Sequence, residues 1–73
     1  MRQLGTPRAE LVALDQAYKA DPSRFHTLIR IILCARKCDR PQVIRWALSR
    51  LKLDFPDRHA RFVESHAWVR DVG

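Results

Sequence analysis

Apolar positions recur every three or four residues along this chain, in four blocks that each open beside a proline or a side chain suited to capping. In the first block Leu11, Leu14 and Tyr18 form the stripe, with Arg8, Asp15 and Lys19 turned away from it and Val12 off it. Thr6 before Pro7 reads as an N-cap followed by proline at the first helical position, where the missing N–H has no intrahelical partner to lose. This pattern predicts a helix over 7–20. Asp21-Pro22 repeats the signal and predicts a second helix over 22–37. Phe25, Leu28, Ile29, Ile31, Ile32, Leu33 and Ala35 occupy more than half of its circumference, as a central helix packed from several sides requires. Arg36 and Lys37 suit the negative pole at its end.

Asp39, with Gln42 three residues on, has the form of a capping box and predicts a third helix over 40–52. Val43, Ile44, Ala47, Leu48 and Leu51 share its apolar face; Arg45, Ser49 and Lys52 lie opposite, and Trp46 and Arg50 border it. Pro56 opens a fourth helix, predicted over 56–70, with Asp54 and Asp57 as its caps. His59, Phe62, Val63, His66 and Val69 lie on one side and Trp68 with Glu64 on the other. No alternating run suggests a strand, and no repeat or low-complexity tract is present. The expectation is an all-α fold: a compact cluster of about four short helices in one small domain over 1–73.

Size restricts function. A chain of 73 residues removes only about 60% of its unfolded surface from water, too little to line a deep catalytic pocket as well as a core. We therefore expect no enzyme. Fourteen Lys and Arg against eight Asp and Glu give a net charge of +6, a field that attracts polyanions or acidic protein surfaces. Seven basic and three acidic residues precede Cys38, and seven basic and five acidic run from it onward, so the charge belongs to the whole folded surface. No apolar run approaches the roughly 20 residues that span a bilayer, and MRQLGTPR lacks the apolar stretch of a secretory signal. A cytoplasmic monomer without membrane contact is expected.

Chemistry-bearing residues are few. Cys34 and Cys38 stand one helical turn apart with His59 and His66 downstream, and these four are zinc's preferred ligand types. Six residues lie between the two histidines, outside the roughly three to five of finger-type sites, and no metal or other cofactor is assigned. A disulfide is disfavoured because Cβ atoms one helical turn apart stand about 5–6 Å from each other and the bond needs roughly 3.5–4.5 Å. Gly5 and Gly73 are the only glycines, which excludes a phosphate-cradling loop. His26 reads as solvated and His66 as a hydrogen-bonded core histidine.

Two binding surfaces compete. The second and third predicted helices could form a helix-turn-helix around Lys37-Cys38-Asp39, presenting Arg40, Gln42, Arg45, Ser49 and Lys52 to a major groove, although the turn lacks the frequent glycine. Alternatively, Trp46 flanked by Arg45 and Arg50, with Arg40 and Lys52 as electrostatic support, has the composition of a protein-interface anchor. The protein-contact reading is preferred, with nucleic acid as an auxiliary contact and a DNA-binding regulator as the alternative.

The chain resembles the small transcription regulators of lytic phages that bind host RNA polymerase. The likeness lies in total length, a start at Met1 with no processing signal, strong basicity and arginine-rich helical segments such as Arg24-Phe25-His26-Thr27-Leu28-Ile29-Arg30. It implies a protein that attaches to bacterial RNA polymerase, inhibits sigma-dependent initiation and promotes antitermination. No local motif carries individual contact residues across.

Overall fold

The computed structural model describes residues 7–72, with side chains from Arg8 onward. Among these residues the elements are α1 (Pro7–Ala20), α2 (Phe25–Lys37), α3 (Pro41–Asp54), α4 (Pro56–Ser65) and a 3₁₀ turn, η1 (Ala67–Asp71). The all-helical expectation holds. No helix among the described residues is long and apolar enough to cross a membrane. The Thr6 cap lies outside the described residues.

α2 is the central element. Its interface with α3 is the most extensive, followed by that with α1, while α4 packs on α3 and η1. Leu28, Ile32 and Ala35 are fully enclosed and Ile31 nearly so, which accounts for a helix apolar over so much of its circumference. Tyr18 joins the core from α1, Ile44, Ala47 and Leu51 from α3, Phe62 from α4 and Val69 from η1. The molecule measures 40 × 27 × 18 Å. Its thinnest dimension is below two helix diameters of about 10 Å, so only residues between neighbouring helices can be enclosed, and much apolar surface stays at the rims.

Several boundaries depart from the sequence pattern, each for a local reason. α2 starts at Phe25 and not at Pro22. The Asp21 carboxylate accepts from the Ser23 hydroxyl (2.6 Å) and the Ser23 backbone N–H (3.3 Å), which closes a tight turn in place of capping a helix. Those two bonds hold Asp21 below the usual carboxylate range.

The capping box at Asp39 and Gln42 does not form: Arg40 is the N-cap of α3, without a side-chain cap bond. Asp39 instead has a left-handed backbone, with φ of 57°. The Asp39 N–H donates to the Arg36 carbonyl (3.2 Å) and the Arg40 N–H to the Ala35 carbonyl (2.9 Å), the paired bonds of a Schellman ending. The turn thus works without glycine because aspartate tolerates the left-handed region better than most residues do. Asp39→Gly should raise stability by about 1 kcal/mol, since the left-handed conformation costs L-residues roughly that much and glycine almost nothing. Chemical denaturation would check it; an unchanged or lower midpoint would contradict this geometry.

α3 runs two residues past its expected end, to Asp54, where Arg50 forms an (i, i+4) ion pair with Asp54 at 3.4 Å. Asp54 is therefore no cap for α4. Phe55 separates the two helices with φ of −139°, because the residue before a proline is driven out of the helical region. α4 stops at Ser65 and does not continue to 70. His66 takes φ of −130°, its ring stacks on Phe62 at 4.3 Å, and its Nδ1 lies 3.2 Å from the Phe62 carbonyl. This break corrects the expected position of Trp68. In an unbroken helix Trp68 would share the outer side with Glu64; after the break it is half-buried, with the Arg36 guanidinium 4.2 Å above its ring.

Candidate protein-docking groove

α1 and α3 both lie on α2 and meet each other through Tyr18. The Tyr18 ring is buried, stands edge-on to Trp46 at 5.5 Å, and its hydroxyl accepts a long bond from Arg50 Nε at 3.4 Å. On the side of this contact nearer the N-terminus of α1 the two helices leave an open groove of about 520 Å³. Its floor is Ile31 of α2, and its walls are Leu11 and Val12 from α1 and Val43 and Trp46 from α3. Asp15, Gln16 and Lys19 form the polar rim on α1 and Gln42 that on α3. Asp15 and Lys19 pair at 3.1 Å, so the rim's charges are matched within the chain.

The groove's apolar character stands out against the rest of the surface. Val12 at 59%, Trp46 at 42% and Leu53 at 72% are the exposed large apolar residues among those described, and the first two are walls of this groove. Leu53 follows Trp46 by seven residues, two turns along the same side of α3, and prolongs the strip. Contiguous exposed apolar surface of this kind marks interaction sites in folded proteins. Trp46 is also held in place. An edge-on ring pair contributes about 0.5–1.5 kcal/mol beyond burial, so Tyr18 limits the rotamer freedom that a partner would otherwise have to remove.

The five residues singled out from sequence do not form one patch. Trp46 and Arg50 lie on the flank of α3 that meets Tyr18. Arg45 and Lys52, seven residues from each other, occupy the opposite flank, where Lys52 lies close enough to His59 of α4 to disfavour its protonated form. Burial is the larger cause of that depression, and the Lys52 charge the second. Arg40 is exposed at the start of α3. Arg50 is less available than its position in the sequence suggests, because Tyr18 and Asp54 already engage it. The α1 wall, Leu11 and Val12, was missed from sequence, although Val12's place off the stripe was the available signal.

The remaining clusters carry less. Among the described residues no group of three or more His, Cys, Asp and Glu is placed to hold a metal ion, and neither cysteine is in a disulfide. Cys34 is buried, with Sγ 4.0 Å from Glu10 Oε1, and burial first and the neighbouring Cys38 second push its thiol above the ordinary range. A raised thiol is a poor nucleophile at neutral pH. A smaller cleft of about 240 Å³ between α2 and α4 has Phe25, Ile29 and Phe62 as its apolar lining, with Arg58 4.6 Å above the Phe25 ring. His26, on the exposed side of α2, stacks on Phe25 at 4.1 Å.

No protein-family model, curated protein or solved structure matches this chain.

Proposed function

We propose that this protein is a phage-type transcription regulator that docks on bacterial RNA polymerase through the α1–α3 groove, with Trp46 as the anchor, and acts by occupying that surface without chemistry of its own. The observation that carries the docking is an exposed indole, pinned by Tyr18, on the wall of an open apolar groove. Buried aromatic anchors surrounded by residues that exclude water dominate interface energetics, and Trp46 has the surroundings to become one. The choice of polymerase rests on the likeness in length, basicity and arginine-rich segments to small polymerase-binding regulators. A charge of +6 favours approach to an acidic surface, while the matched rim leaves the groove itself to an apolar ridge of the partner.

Inhibition of sigma-dependent initiation follows if the module binds the sigma-free enzyme more tightly than the sigma-bound one, since a ligand shifts an equilibrium only by its differential affinity. Antitermination would follow from the same attachment persisting on the elongating enzyme. Immobilised protein should retain bacterial core polymerase and release it on addition of sigma factor. In transcription assays promoter-dependent product should fall and read-through of a terminator should rise. Failure to retain the core enzyme at low salt would remove the proposal.

A further inference from the structure

α3 has a second surface that shares only Gln42 with the groove. Arg45, Ser49 and Lys52 follow one another at helical spacing on the flank away from Tyr18, and with Gln42, at the groove's rim, they make a stripe about 15 Å long at 1.5 Å per residue. All four are exposed, and among the described residues none has a side-chain hydrogen bond or ion pair. The single acid of α3, Asp54, is taken by Arg50, whose other bond, to Tyr18, places it on the far flank. Most basic helices spread acids among their cations; this stripe has none of its own, and the nearest in sequence before it is Asp39 in the turn.

The turn supplies the second half of the argument. Three residues separate α2 from α3, and Asp39 in the left-handed conformation reverses the chain between them. A helix-turn-helix joins its two helices by a turn of three or four residues and offers the second to a groove, and the length of this turn fits that construction. B-DNA's major groove, about 12 Å wide, admits an α-helix, whereas the deep, narrow major groove of A-form RNA does not.

We propose that the outer flank of α3 binds duplex DNA in its major groove, Arg45 and Lys52 neutralising backbone phosphates while Gln42 and Ser49 offer donors and acceptors to base edges. The inference shares only Gln42 with the α1–α3 groove and does not need polymerase. Arg40, exposed at the start of α3, adds to the field at the entering end.

The test is binding of a labelled mixed-sequence DNA duplex by fluorescence anisotropy between about 50 and 200 mM salt, with an RNA duplex of the same sequence in parallel. Each phosphate contact contributes about 0.9 to the slope of log K against log salt. Arg45→Ala with Lys52→Ala should flatten that slope by about 1.8. Trp46→Ala should leave it unchanged, and the charge-preserving pair Arg45→Lys with Lys52→Arg should keep it, which separates charge from disrupted folding. The proposal falls if the native protein does not bind the DNA at the lowest salt, if the double alanine variant keeps the native slope, or if the RNA duplex binds as tightly. DNA binding that fails while polymerase retention persists would remove this inference alone; loss of polymerase retention with the slopes as expected would remove only the groove's assignment.

Discussion

Leu28→Ala should lower the folding stability of this protein by about 3 kcal/mol or more, within the roughly 2–5 kcal/mol range for leucine-to-alanine changes in cores. Leu28 is fully enclosed on α2, the helix that packs against both α1 and α3. The lost Cγ and two δ-methyl groups forfeit their transfer free energy, and a void remains because the surrounding structure relaxes only partially. At about 0.05–0.15 kcal/mol per residue a 73-residue domain has only some 4–11 kcal/mol to lose, so the effect is a large fraction of the total. For a domain of this size 1 kcal/mol moves the melting temperature by about 4–8 °C, which places the variant's midpoint at least 12 °C lower. Leu53→Ser, at 72% exposure, should stay within about 0.5 kcal/mol of the parent. Thermal melts of the two variants side by side decide the matter. Equal midpoints would mean that α2 is not where the core lies.

Trp46→Ala should give the reverse pattern, a small cost in stability and a large one in partner affinity. The ring is 42% exposed and its contact with Tyr18 is edge-on, so folding should lose no more than about 1.5 kcal/mol. If Trp46 is the anchor of the polymerase interface, truncation removes at least about 2 kcal/mol of binding, a loss of roughly 30-fold or more in affinity. Measuring Kd for core polymerase beside the thermal midpoint separates these two quantities. A variant that binds within about twofold of the parent would show that the groove is not the docking surface. Fluorescence offers an independent check. In a Trp68→Phe background the emission comes from Trp46, should be quenched readily by acrylamide in the free protein, and should become shielded when polymerase is added.

The candidate surfaces were legible from sequence to different depths. That Trp46 stays outside was readable, because it falls off the apolar stripe formed by Ile44, Ala47 and Leu51. That Arg50 is engaged, and which neighbours face each flank of α3, was not. Those facts depend on where Tyr18 of α1 and His59 of α4 come to rest, more than 25 residues and seven residues away in the chain respectively. Asp39 shows the same division within one turn. Its residue type suits an N-cap and also tolerates the left-handed position after a helix, and the choice fell to the carbonyls of Ala35 and Arg36, which needed donors once α2 had ended.

Periodicity and prolines by themselves determined that the described residues are helical, that they hold four α-helices, and which faces of those α-helices turn inward, since a 3.6-residue repeat and a missing N–H act within a few residues of themselves. Tertiary structure alone decided the open groove between α1 and α3, the break at His66 that turns Trp68 toward Arg36, and which neighbours face the indole and cationic flanks of α3. The reason is one of range. Local pattern states which surface a helix must hide, whereas which surfaces remain uncovered depends on how distant helices share a single central partner.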